Sequence, residues 1–136
     1  MNGVLIGCLY LPSGSPVPGP KFQYKLAWFR GPIDPRPEPP GRGRPLSILA
    51  GDYNVVPTEA DIYPNHTPTA ATPCCALKAA PAFQRLLGQG WTDALRAVHP
   101  EHPPWTYWSC LRERWPKDKG LRIDNPLLSP EVDGPT

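Results

Sequence analysis

Residues Leu46–Asn54 read LSILAGDYN, and this stretch decides the fold. Leu46 to Ala50 is an apolar run of strand length that stops at Gly51, and Asp52 and Asn54 follow at once. A strand ending in Gly-Asp-x-Asn delivers two polar side chains to the carboxyl edge of a sheet, where active sites are often built. Upstream, Val4–Leu11 (VLIGCLYL) is continuous and rich in β-formers, the pattern of a strand buried on both faces. It carries Tyr10 near its end and enters a turn-rich loop, Pro12–Pro20. Downstream, Leu121–Leu128 opens as a strand (LRID) and then meets Pro126, which removes a ladder hydrogen bond. The tail from Ser129 is expected to fray.

Helical segments lie between these runs. Lys21–Arg30 (KFQYKLAWFR) has Phe22, Leu26 and Phe29 on one face, with Lys25 off it. Leu77–Gln89 predicts the best helix, with Pro81 in its first turn, Phe83, Leu86 and Leu87 as the apolar face, and Gly88 or Gly90 as the stop. Thr58–Asp61 predicts one helical turn, Trp91–Arg96 another, and Trp105–Cys110 (WTYWSC) an aromatic strand. Strands alternating with helices predict an α+β, layered α/β sandwich half: a mixed β-sheet covered by helices, and incomplete.

The length, 136 residues, suits one domain or part of a larger one. Its 22 prolines and 12 glycines make up a quarter of the chain, a level at which local disorder is expected. Six of those prolines fall in Pro32–Pro45 (PIDPRPEPPGRGRP), which cannot be a regular helix or a central strand. It reads as a linker-like tract, with a ligand for a proline-binding domain as the alternative. A net charge of +2 and a pI near 8.4 permit a nucleic-acid partner without arguing for one. Cys8, Cys74, Cys75 and Cys110 contain no C-x-x-C pair and read as free thiols in a reducing compartment. Met1–Tyr10 is too short and uncharged for a signal peptide, and no apolar run approaches a membrane span. The Asn65-His66-Thr67 sequon is then a chance match, and a cytoplasmic location with no membrane partner is the expectation.

Taken singly, each polar strand end is a weak signal. Their order is specific. NGVLIGCLYLPSG, PGPKF, LAGDYNVVPTEADIY, GQGWTDALRAVHP, TYW and GLRID together resemble exonuclease III-type (abasic-site endonuclease) enzymes of the endonuclease/exonuclease/phosphatase superfamily. The blocks run in family order from Asn2 to Asp124 and match the C-terminal half of that family only. The resemblance implies that residues 1–136 are a partial domain of this type, with the tract at 32–45 standing where relatives have a helix. It implies a magnesium-dependent (or manganese-dependent) DNA-repair phosphodiesterase, a 3′-5′ exodeoxyribonuclease or abasic-site endonuclease, whose partner is double-stranded DNA.

The roles carry over one residue at a time. Asp52 falls on the aspartate that handles the proton of the attacking water or leaving group. Asn54 falls on the asparagine that bonds the scissile phosphate, and Asp52 with Asn54 would make the metal contacts. Tyr10 falls on the tyrosine whose hydroxyl approaches that phosphate. Asp124 falls on the aspartate that orients a catalytic histidine. Lys21 falls on a lysine near the DNA backbone, Tyr107 and Trp108 on aromatics pressed against an extruded nucleotide, and Arg122 is expected to neutralise a DNA phosphate. Such groups suit the chemistry. Phosphodiester hydrolysis builds negative charge, so it needs a cation, neutral or positive donors and a base for water.

The departures are as specific. The family's first-strand asparagine and metal-binding glutamate are absent, as is its Ser-Asp-His ending; His66, His99 and His102 all precede Asp124. Ser109 and Cys110 stand where relatives have an acidic and an aromatic residue. The expectation is therefore a chain inactive in isolation, with a missing N-terminal half as partner. Two other classes stay open: a non-catalytic proline-rich interaction protein, and a sister phosphodiesterase acting on a lipid or small phosphate ester.

Overall fold

The computed structural model describes residues 3–30, 46–66, 74–110 and 113–130. The proline-rich tract at 32–45 lies outside the described residues, as do 131–136. Four strands form one mixed sheet in the order β1-β2-β4-β3. β1 (Val4–Tyr10) pairs parallel with β2 (Leu46–Asp52), and β2 pairs antiparallel with β4 (Leu127–Leu128). β3 (Thr92–Asp93) closes the row, antiparallel to β4. The expected mixed, helix-covered sheet is present.

α1 (Pro20–Arg30) begins on a proline, whose fixed φ and missing N–H suit a first helical position. It buries Phe22, Lys25 and Phe29, so Lys25 lies on the core side rather than off it. The expected single helix at 77–89 is divided into α2 (Cys74–Lys78) and α3 (Ala80–Leu87), because Pro81 starts a new helix at its first turn. The segment expected as helical at 91–96 starts instead as β3 and turns into α4 (Ala94–Val98), capped by the Asp93 carboxylate. At 105–110 no strand forms; Tyr107 makes one bridge, to Leu121.

One sheet face packs on the helices. Leu9 and Leu49 lie against a core of Leu11, Phe22, Phe29, Tyr53, Phe83, Leu86 and Leu127. A second cluster holds Val56, Ile62, Tyr63, Leu121 and Ile123. β1 departs from expectation, since Val4, Leu5 and Ile6 are exposed and Ile6 keeps 67% of its surface open. The apolar run encodes a strand, but among the described residues β1 has one neighbour strand and helices on one face. Ser129, expected to fray, is buried: its N–H donates to the Ser47 carbonyl at 2.9 Å and its hydroxyl accepts from the Ser47 N–H at 3.0 Å. No described helix is long and apolar enough to cross a membrane.

Candidate active site

Tyr10 and Asp52 are register partners across β1 and β2, and Asp52 is bridged on its other side to Asp124. Paired residues on neighbouring strands project to the same face. The phenol and both carboxylates therefore leave one rim on one side of the sheet. Backbone bonds lock that rim. The Leu11 N–H donates to the Asp52 carbonyl at 2.8 Å, the Asn125 N–H to the Gly51 carbonyl at 3.0 Å, and the Tyr53 N–H to the Ile123 carbonyl at 3.0 Å.

Gly51 is required there. Its φ is 148°, and a Cβ would stand 1.9 Å from the Leu9 carbonyl oxygen. Two residues on, Asn54 adopts a left-handed φ of 48°, which asparagine tolerates better than most residues. Its N–H donates to Asp52 Oδ1 at 2.7 Å, an Asx turn that orients the carboxylate, and its Nδ2 donates to the Leu11 carbonyl at 2.7 Å. The buried Lys25 ammonium donates to the carbonyls of Asn54 and Ser13. One buried cation thus ties α1 to the loops after β1 and β2.

Burial pushes the Asp52 carboxyl above its ordinary value of 3.8, and the neighbouring Asp124 charge pushes the same way. The Asn54 N–H and Lys25 pull it back without cancelling the rise. A carboxyl held in this way, beside a second carboxylate, has the character of an acid–base group. Tyr10 is 72% exposed, so its hydroxyl is open to a ligand at the same rim.

Carboxylate and amide oxygens are donors of the kind magnesium or manganese takes. Among the described residues no group of three or more His, Cys, Asp or Glu could hold a metal ion. Magnesium commonly uses one or two carboxylates and completes its shell with water and substrate phosphate. The Asp52–Asp124 pair fits that limited role. Asn54, expected as a metal contact, has its amide nitrogen turned to the Leu11 carbonyl.

The expected DNA-contacting residues divide. Lys21 is exposed in the first turn of α1, Tyr107 is exposed, and Trp108 is half-buried with its Nε1–H directed at Asp118 Oδ1, 3.4 Å away. Arg122 differs from expectation: its relative exposure is 0%. Its Nε donates to Asp61 Oδ1 at 2.7 Å, and its two terminal nitrogens donate to the Asp93 carboxylate at 3.0 and 2.9 Å. Asn125 Oδ1 accepts a further bond. Burial disfavours the guanidinium charge, but hydrogen bonds from it to Asp61 and Asp93 outweigh that effect and hold it more firmly protonated than usual. A fully buried guanidinium bonded to two carboxylates braces the site from behind instead of neutralising a phosphate.

Asp61 is equally committed. Thr58 and Asp61 form a reciprocal cap on the helical turn Glu59–Asp61, and Arg96 donates to Asp61 Oδ2 at 2.7 Å. The PTEAD, WTD and GLRID blocks thus meet in one interior ion network. Thr106 is a residue the sequence reading missed. Its hydroxyl accepts from the Ile123 N–H at 3.0 Å and the Asp124 N–H at 3.1 Å, fixing the backbone under Asp124. Its place just before Tyr107 in the TYW block was the available signal.

No protein-family model and no curated protein matches the chain. Solved structures do. An AP endonuclease from Archaeoglobus fulgidus is similar at 25% identity and a TM-score of 0.75, over 96% of this chain and 50% of that one. The 3′-5′ exonuclease NExo from Neisseria meningitidis is similar at 29% identity and a TM-score of 0.69, over 93% of this chain and 48% of that one. A Neisseria 3′ phosphatase NExo bound to a product DNA hairpin gives 28% identity and a TM-score of 0.70, over the same shares of 93% and 48%. The chain spans about half the length of these solved structures.

Proposed function

We propose that this chain, whose structure matches AP endonucleases and NExo exonucleases over about half their length, is the phosphate-handling part of a magnesium-dependent DNA-repair phosphodiesterase. The observation that carries the reading is the alignment of Tyr10, Asp52 and Asp124 on adjacent rungs of one rim, with Asn54 braced beside them. The partner is double-stranded DNA, in keeping with the similar Neisseria enzyme solved with a DNA hairpin. A cytoplasmic setting belongs to the same proposal, and the free, exposed thiols of Cys8 and Cys110 suit it.

Each residue has a chemical task in this reading. Asp52, its carboxyl pushed upward by burial, takes the proton of the attacking water or gives one to the leaving oxygen. Tyr10 and the second Nδ2 hydrogen of Asn54, the one not given to the Leu11 carbonyl, donate hydrogen bonds to phosphate oxygens without adding charge to the rim. Asp124 orients the proton-carrying partner of the reaction. A bound magnesium ion, held by the rim carboxylates and substrate oxygens, would offset the charge that builds on phosphorus. Lys21 contacts the DNA backbone beside α1.

With no group of three or more metal-capable side chains among the described residues, the 136-residue chain alone should bind abasic-site DNA without cutting it at a measurable rate. A fluorescently labelled duplex with one abasic site, in magnesium, tests both halves. Binding that weakens in Tyr10→Phe and strengthens in Asp52→Asn, as one negative charge leaves the phosphate site, supports the reading. Binding indifferent to both substitutions overturns it, and cleavage above the Asp52→Asn level overturns the expectation of inactivity.

A further inference from the structure

The structure assigns a positioning role to Lys25: its buried ammonium sets the Asn54 turn and the loop after Tyr10 against each other, and so fixes the spacing of the two phosphate donors at the rim. The inference rests on the proposed reading of that rim and adds to it a residue that touches no ligand itself.

Lys25 is 0% exposed, a costly place for an ammonium group unless strong acceptors meet it. It meets backbone carbonyls in two loops. The Ser13 carbonyl, 3.3 Å from Nζ, belongs to the loop that follows β1, and the Asn54 carbonyl to the loop that follows β2. The apolar stem is enclosed as well. A Cβ on Gly14, whose φ is 80°, would stand 3.0 Å from Lys25 Cδ, so the first loop closes over the side chain at a position where glycine leaves room.

Asn54 is held through three of its polar groups. Its N–H donates to Asp52 Oδ1, its Nδ2 donates to the Leu11 carbonyl, and its own carbonyl accepts from Lys25. Its left-handed backbone, at a φ of 48°, persists because the surroundings over-determine it. The Leu11 and Ser13 carbonyls lie two residues apart on one loop. The Asn54 amide and the Lys25 ammonium therefore stitch the same two loops together at neighbouring points, just beyond Tyr10. Without the ammonium, Asn54 loses the hold on its carbonyl, and the Leu11 bond alone keeps the loops in place. Lys25 acts on the phosphate site through Asn54, from beneath it.

A double-mutant cycle for binding of the labelled abasic-site duplex, in magnesium, tests this on the full 136-residue chain. Asn54→Ala and Lys25→Met should each weaken binding by about 10-fold or more, the lower range of what one charge-assisted hydrogen bond is worth. The double variant should bind within about 2-fold of Asn54→Ala, because the two losses share one route. Phe29→Leu, a core change on the same helix, supplies the comparison: its effect on binding should multiply fully with that of Asn54→Ala. Lys25→Gln keeps amide donors for the carbonyls and loses the charge. It should fall between wild type and Lys25→Met, and it carries the cycle if the methionine variant unfolds. In the DNA-free chain, Lys25→Met should move the backbone and side-chain amide NMR signals of Asn54, and Phe29→Leu should leave them in place. Unmoved Asn54 signals, or losses that multiply in the double variant, overturn the positioning role and leave the rim reading intact. Undiminished binding in Asn54→Ala removes the rim reading itself, and the role of Lys25 with it.

Discussion

Asp52 and Asp124 face each other across a single antiparallel bridge at the end of β2, two like charges brought together by the sheet. Burial and this neighbour raise the Asp52 carboxyl above 3.8. The folded chain therefore binds that proton more tightly than the unfolded chain. The associated stability is fully present below pH 3.8 and is lost as pH rises through the folded value. Asp52→Asn should accordingly raise the melting temperature at pH 7, with the gain shrinking to nothing in acid. Thermal melts between pH 3 and pH 8 check this; a gain that grows on acidification has the wrong sign.

Gly51 holds the turn that presents Asp52. Gly51→Ala would drive a Cβ into the Leu9 carbonyl at a φ of 148°. A loss of at least about 2 kcal/mol in urea unfolding is expected, because backbone strain adds to the clash. A near-neutral result would mean that β1 and β2 separate easily.

Arg122 neutralises Asp61 and Asp93 in the interior. Arg122→Met leaves both carboxylates buried without a full partner and should destabilise by about 3–5 kcal/mol. Combining it with Asp61→Asn and Asp93→Asn should recover part of that loss. Stability unchanged by Arg122→Met would return the residue to a surface role.

Thr106→Val keeps the shape of the side chain and removes the acceptor for two backbone N–H groups. A loss of about 1–3 kcal/mol is expected, with Thr106→Ser close to wild type. Amide shifts of Ile123 and Asp124 should move in the valine variant alone.

Much of this was legible in the sequence. LSILAGDYN gave a strand with Asp52 and Asn54 at its carboxyl end, because an apolar run closed by glycine has few other uses. The blocks on either side of it named Tyr10 and Asp124 as neighbours, and the register brings them beside Asp52. What stayed hidden depends on long-range pairing. Nothing local in KLAWF says that Lys25 turns inward to carbonyls 12 and 29 residues away. Nor does GLRID say whether its arginine faces DNA or the core; that depends on Asp61 and Asp93, far off in the chain. Val4–Leu11 spells a fully buried strand, and its exposure follows from what packs on it, which composition does not encode.

The account stands or falls on Tyr10, Asp52, Asn54 and Asp124 meeting one phosphate. Amide NMR of the labelled chain, titrated with a short abasic-site duplex in magnesium, reads this directly. The account predicts shifts concentrated at Tyr10–Leu11, Asp52–Asn54 and Asp124–Asn125. Shifts confined to other surfaces, with these amides unmoved at saturation, would contradict it.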